Sequence, residues 1–304
     1  MSSNKKYLIV IAGPTASGKT EIAVKLAKEF HTSVISADSR QFFKEMKIGT
    51  ARPSEEELEG VPHYFLGTHS VKENYNIGKY EEEVLSLLSK LFKEKNIVIL
   101  AGGSGLYIKM ICEGLDEMPD ADLEIRKELQ EILDEKGLDF LAEELKRVDP
   151  EYYEQMDKNN PQRVMRAVEV FRSTGIPFSL FRKGEKKKRN FESIKIGIHW
   201  DRDELYRRID RRVDEMLEQG LFEEAENLFS MKDYNALQTV GYREIFEYME
   251  GKYDKEEAVR LIKRNTRRFA KRQVTWFGKD DQIRWFRNGE VAEIVKYIKL
   301  TIQS

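Results

Sequence analysis

Gly13-Pro14-Thr15-Ala16-Ser17-Gly18-Lys19-Thr20 is the stretch whose residue types most plainly point to chemistry. It satisfies the pattern G-x-x-x-x-G-K-[ST]. It lies between an apolar run, Tyr7 to Ala12, and a helical pattern with Ile22, Ala23, Leu26 and Phe30 on one face. In that setting the glycines let the backbone wrap an anion, and successive N–H groups and the helix N-terminus present positive potential to phosphate oxygens. Lys19 adds a point charge and Thr20 a hydroxyl suited to Mg²⁺. The bland alternative is a glycine-rich turn without a ligand. The pattern specifies a phosphorylated ligand but does not name it.

Two features depart from an ordinary ATPase. The apolar run Ile97 to Ala101 ends in Gly102-Gly103-Ser104, where an acidic residue usually holds Mg²⁺. The acid instead follows the second short strand, at Asp38 in Ser36-Ala37-Asp38-Ser39-Arg40-Gln41. Ligands of parallel sheets gather at the C-terminal strand ends, so Asp38, Ser104 and the loop are expected around one crevice. Asp38 could act as a general base, as the partner of a magnesium ligand, or as a helix cap.

Cations mark further candidates. Asp203 to Gln219 reads as a helix with Leu205, Ile209, Val213, Met216 and Leu217 in one stripe, and Arg212 on its edge. A guanidinium there needs an anion: a structural carboxylate, an escape to water, or a phosphate. Arg207 and Arg211 point away from the stripe. Lys263 to Arg272 holds six cations in ten residues. On a helix, Arg264, Arg267, Arg268 and Lys271 share a face with no acidic interruption, while Leu261, Phe269 and Trp276 are expected to pack. Arg163 and Arg166, one turn apart, and the turn Gly241-Tyr242-Arg243 add two more basic segments. Such segments are either solvated surface or contacts for RNA, whose bases stack on aromatics and guanidinium planes.

The elements that must carry these residues are expected in two blocks. Strands are read at Tyr7 to Ala12, Ser33 to Ala37, Tyr64 to Gly67, Ile97 to Ala101, Ile194 to His199 and Ile283 to Phe286, with helices between them, including Glu81 to Phe92. That alternation implies an α/β fold, a P-loop NTPase-like parallel sheet flanked by helices. From Asp116 to about Arg189 only helical patterns occur, with Asn160-Pro161 starting one helix and Gly175-Ile176-Pro177 ending it. The expected organisation is a core of 1–114 and 191–304 with an inserted all-helical domain, 115–190. Arg182 to Arg189 reads as a charged loop.

Composition excludes several classes. Across 304 residues, 52 Lys+Arg balance 54 Asp+Glu, so any nucleic-acid surface must be local. One cysteine, Cys112, excludes an internal disulfide framework, and four scattered histidines offer no metal-ligand spacing. No apolar run approaches the ~20 residues that span a bilayer. The segment after Met-Ser-Ser-Asn-Lys-Lys is too short for a signal peptide. A cytoplasmic protein without membrane attachment is expected.

With these residues assembled, the chain resembles the bacterial tRNA dimethylallyltransferases. The likeness rests on GPTASGKT at 13–20, ISADSRQ at 35–41, IGTARPS at 48–54, AGGSGLY at 101–107, NNPQRVMRAVEVF at 159–171, VGYREI at 240–245 and TRRFAKRQVTWF at 266–277. It runs from Tyr7 to about Phe286. Ser104 stands where the family often has threonine, and Gly278 where arginine is common.

The resemblance implies transfer of a dimethylallyl group from dimethylallyl diphosphate to the exocyclic N6 of the adenine just 3′ of the anticodon. The loop, Gly13 to Thr20, would hold diphosphate together with Arg212. Thr20 would also serve Mg²⁺, and Asp38 would be the general base. The tRNA anticodon stem-loop would meet Asp38, Ser39, Arg40 and Gln41, then Gln162, Arg163, Val164, Met165 and Arg166. It would also meet Val240, Gly241, Tyr242, Arg243 and Glu244, and Thr266, Arg267, Arg268, Phe269, Ala270, Lys271, Arg272 and Gln273. Ser104 and Arg126 match single contact positions, and a monomer is implied. Three rivals remain at this point: an isopentenyltransferase of free AMP, ADP or ATP, an ATP-dependent small-molecule kinase, and a non-catalytic nucleotide-dependent RNA-binding module.

Overall fold

The structure, a computed structural model, describes residues 5–303. The Met1 to Asn4 part of the leader reading lies outside the described residues. Six strands form one parallel sheet: β1 (Tyr7–Ala12), β2 (Val34–Ser36), β3 (His63–Tyr64), β4 (Ile97–Gly102), β5 (Glu192–His199) and β6 (Arg284–Arg287), in the order β3-β2-β4-β1-β5-β6. Every registered pair is parallel. The third strand is shorter than its apolar run suggested and ends at Tyr64.

β1 sits between β4 and β5, and all six of its residues are buried. Its side chains alternate between two cores, as the pleat requires. Leu8, Val10 and Ala12 join one cluster with Val98 and Leu100 of β4. Tyr7, Ile9 and Ile11 join the other, with Ile99, Ile194, Ile196 and Ile198. The helix Ile77–Glu94 covers the first face with Tyr80, Val84, Leu88 and Phe92, four residues apart, which fits one stripe of a 3.6-residue helix. Tyr80 also donates its hydroxyl to the Ser36 carbonyl at 2.8 Å, fixing the end of β2 just before Asp38.

The chain divides into two compact units, 1–112 with 189–304, and 113–188. The second contains no strand among its residues. Leu129, Leu141, Leu145, Val164, Ala167 and Val168 form its core. Its helix Pro161–Thr174 begins at the Asn160 cap, whose side chain accepts the Arg163 N–H, and ends at Gly175 in the left-handed region. Asp149, buried, accepts N–H groups from both Tyr152 and Ser179, tying two helix starts to one carboxylate. Residues 182–189 form no regular element.

Candidate active site

The phosphate loop emerges from β1 and leads into the helix Lys19–Glu29, with Lys19 and Thr20 in its first turn. Lys19 Nζ folds back onto the Pro14 carbonyl at 2.6 Å. Burial, with Arg212 nearby, lowers its pKa to about 8, and Asp38 opposes that shift. The loop is braced from outside. Trp200 Nε1 donates to the Ser17 carbonyl at 3.0 Å, and Arg208 Nε to the Ala16 carbonyl at 2.9 Å. Arg208 also stacks over the Trp200 ring, 4.3 Å from its centroid.

The second strand end brings in Asp38. No helix starts there, which removes the capping role; Asp38 Oδ1 instead accepts the Arg40 N–H at 3.1 Å in a turn. Ser104 faces it across the crevice, accepting the Ser39 N–H at 2.9 Å and lying 3.1 Å from Ser39 Oγ. The Gly102-Gly103 pair has a steric cause. A Cβ at Gly102 would come within 2.1 Å of the Ala37 carbonyl oxygen. One at Gly103 would meet the Gln273 amide at 2.4 Å.

A cavity of about 360 Å³ joins these groups. Thr15, Asp38, Ser104, Arg212 and Arg272 supply polar lining. Val213, Met216, Leu221, Val240, Ile262 and Phe269 supply apolar walls. Arg212 comes from the helix Arg202–Glu218 and makes no ion pair among the described residues. Burial lowers its pKa below the ordinary guanidinium value, and Arg208 adds to the effect. Lys19 likewise has no carboxylate partner within ion-pair distance among the described residues. Arg212 thus lines a space suited to an anion, with Thr15 of the phosphate loop, a carboxylate and an apolar wall beside it, and Lys19 follows in the same loop.

Several expected contact residues are placed otherwise. Gln273 is buried and acts as a brace: Oε1 accepts the Thr15 N–H at 2.9 Å, and Nε2 donates to the Gly103 carbonyl at 2.8 Å. Arg40 donates to the carbonyls of Asn235 and Ala236 at 3.0 and 3.1 Å. Gln41 donates to those of Thr50 and Ala51, both at 3.1 Å. Tyr242, expected as an exposed stacking aromatic, is fully buried, as are the side chains of Glu244, Val164 and Ala270. Glu244 instead accepts the Gly241 N–H and the Asn265 amide.

The cationic ridge is interrupted after all. Arg267 pairs with Asp210 and Lys263 with Asp214, both acids on the helix Arg202–Glu218. Arg268, Lys271 and Arg272 remain exposed. Phe269 and Trp276, expected to pack, are 40% and 42% exposed, leaving aromatic surface beside these cations.

In the unit of residues 113–188, Gln162 and Arg163 are exposed. Arg126 and Arg166 converge on Glu169, at 2.9 and 3.0 Å, and Arg166 also donates to the Pro119 carbonyl. Met165 is half-buried.

Sequence reasoning missed Trp200, Arg208 and Gln273 as supports of the loop. Arg208 carried a usable signal: it lies one helical turn before Arg212.

The model of the IPP transferase family matches residues 41–280, and the chain belongs to that family. It is 52% identical over 303 residues to the tRNA dimethylallyltransferase of Cytophaga hutchinsonii, covering 100% of both chains. It is 47% identical to tRNA dimethylallyltransferase 1 of Bacteroides fragilis, covering 98% of this chain and 99% of that one. The crystal structure of the full-length tRNA isopentenylpyrophosphate transferase of Bacillus halodurans is similar with a TM-score of 0.73 at 34% identity, covering 98% and 97%. A eukaryotic dimethylallyltransferase acting on tRNA gives the same TM-score at 26% identity, covering 93% of this chain and 74% of that one.

Proposed function

We propose that this protein transfers a dimethylallyl group from dimethylallyl diphosphate to N6 of the adenine 3′-adjacent to the anticodon of tRNA, releasing diphosphate. The cavity carries this reading: Arg212, without a carboxylate partner among the described residues, meets Asp38, Thr15 of the phosphate loop and apolar walls in one space, and Lys19 of that loop is near enough to feel the charge of both Asp38 and Arg212. The cations fit the diphosphate and stabilise the negative charge that grows as it leaves. The apolar walls fit a five-carbon chain and exclude water from the allylic carbon. Asp38, half-buried and with one oxygen already fixed by Arg40, can accept the amine proton as the carbon–nitrogen bond forms. The adenine must leave its stack to enter, at a cost of a few kcal/mol.

Mg²⁺ fits as a companion of the diphosphate. Among the described residues no cluster of three or more His, Cys, Asp or Glu could hold a metal unaided. The Thr20 hydroxyl is the kind of single protein oxygen that Mg²⁺ takes alongside phosphate oxygens and water. When bound, the ion would neutralise charge on the departing diphosphate.

Two exposed patches suit an anticodon stem-loop: Gln162 and Arg163 in the helical unit, and Arg268, Lys271 and Arg272 with Phe269 in the α/β unit. Within the α/β unit the buried Tyr242, Glu244, Ala270 and Gln273 brace their own segments; within the helical unit Val164 does the same and Glu169 holds Arg126 and Arg166.

The test incubates the protein with dimethylallyl diphosphate, Mg²⁺ and unmodified tRNA, with AMP replacing tRNA in a parallel tube, followed by nucleoside mass spectrometry. The expected result is one dimethylallyl addition on tRNA adenosine and none on AMP. Prenylated AMP alone, or no product with tRNA bound, would overturn the reading. In the same assay Asp38→Ala abolishes transfer while largely keeping tRNA affinity.

A further inference from the structure

Glu224 lies outside the groups assigned so far, on the helix Leu221–Leu228, yet its carboxylate gathers four donors. Oε2 accepts the N–H groups of Lys47 and Ile48 at 2.9 and 2.8 Å. Oε1 accepts the N–H of Gly49 at 2.9 Å and the hydroxyl of Tyr242 at 2.6 Å. Three consecutive backbone donors therefore close on one side chain, the arrangement in which turns usually grip an anion.

What Glu224 joins is the wall of the cavity. Gly49, Thr50 and Ala51 line it on one side. Leu221, one turn before Glu224, and Val240 and Gly241, next to Tyr242, line it on the other. The two sides meet tightly: a Cβ on Gly49 would lie 2.5 Å from the Tyr242 ring. Thr50 Oγ1 donates to the Met46 carbonyl at 2.7 Å, so the loop is otherwise held mainly by its own bonds and by Gln41. Burial, with Glu224 beside it, pushes the Tyr242 phenol above its ordinary pKa and keeps it a donor.

We infer that Glu224 is a positioning residue for the prenyl donor: by clipping the 47–51 loop to Tyr242 it fixes the width of the cavity and keeps water from the allylic carbon. This rests on the prenyl transfer proposed above. With the clip loosened, the donor is held less well and water competes with the adenine. In that side reaction the water oxygen bonds to the allylic carbon as the carbon–diphosphate bond breaks. The electron pair leaves with diphosphate, and the water proton passes to solvent.

The test uses the full chain with dimethylallyl diphosphate, Mg²⁺ and unmodified tRNA. It reads KM for the diphosphate, kcat, and the ratio of dimethylallyl alcohol to prenylated adenosine. Glu224→Gln keeps the shape but puts an NH₂ against the donors. It should raise KM roughly fivefold or more, and the alcohol ratio by at least about threefold. Tyr242→Phe removes one donor and keeps the ring, so both quantities should move the same way by less. A role in fold stability alone would lower the active fraction and hence apparent kcat, leaving KM and the ratio unchanged; that result would overturn the inference. If Glu224→Gln does not fold, Tyr242→Phe decides, and wild-type values there would equally overturn it. A wild-type protein that transfers no prenyl group would instead sink the activity, and this inference with it.

Discussion

Two sets of cations, one in each unit, are treated in opposite ways. In the α/β unit, Lys19 of the phosphate loop and Arg212 of the cavity lining have no carboxylate within ion-pair distance among the described residues, and desolvation disfavours the charged form of both. In the helical unit, Arg126 and Arg166 sit on the buried Glu169, and Arg172 is held by two bonds to Glu144, at 2.7 and 2.6 Å. A buried cation without a counter-ion is costly, so a fold keeps one only where a ligand will neutralise it. A cation already neutralised by its own chain supplies shape. The first arrangement gives up stability for chemistry, and the second gives up charge for rigidity.

Separating those two roles by substitution is the sharpest trial of the contrast. Arg212→Ala should lower kcat/KM for the diphosphate about 10²–10³-fold while leaving the melting temperature unchanged or raised. A large drop in melting temperature with activity retained would reverse the assignment. Glu169→Gln should do the opposite. It weakens the anchor of two arginines and costs on the order of 1–3 kcal/mol of stability, with tRNA affinity reduced and KM for the diphosphate unchanged. Thermal melts and binding titrations of the same preparation report both.

The contrast also has a pH signature. Lys19, with its pKa near 8, keeps its charge below that pH and loses it above. Since the charge binds the diphosphate, kcat/KM should fall as pH rises through 8, tending towards about tenfold per unit. Fold stability moves the other way. Between about 8 and 10.5 the unfolded chain binds the proton that the folded chain has released, so Lys19 makes stability rise with pH. A flat kinetic profile from pH 7 to 9.5 would remove Lys19 from the diphosphate site. The smallest effect is expected at Arg163, exposed and outside any ion pair among the described residues. Arg163→Ala should cost under about 1 kcal/mol of tRNA binding and flatten the salt slope by ~0.7.

Local signals made much of the fold readable in advance. Tyr7 to Ala12 is apolar at every position because β1 is buried on both faces. Asn160, Pro161 and Gly175 carry their own cap chemistry, so the helix they bound could be delimited without tertiary information. The loop, Asp38 and Arg212 were legible because residue type and spacing restrict their roles. What stayed hidden depends on distant partners. Arg267 looked like one more cation of a ridge, and only docking of two helices, 57 positions apart in sequence at the contact, brings it to Asp210. Gln273 belonged to the same segment but turns inward to the loop. Glu224 is one acid among 54, and nothing near it in sequence shows that residues 47–49 will close on it.

The crossing of β4 beneath Ala37 also bears on how such a molecule could change over generations. At 2.1 Å from a main-chain oxygen, position 102 has no room for any side chain. An acid of the kind nucleotide hydrolases carry therefore cannot be acquired at position 102 by one substitution. The backbone after β2, which presents Asp38, would have to move first, disturbing the proposed base before any new chemistry was gained. The glycine acts as a ratchet: drift towards ATP hydrolysis begins by damaging the present site.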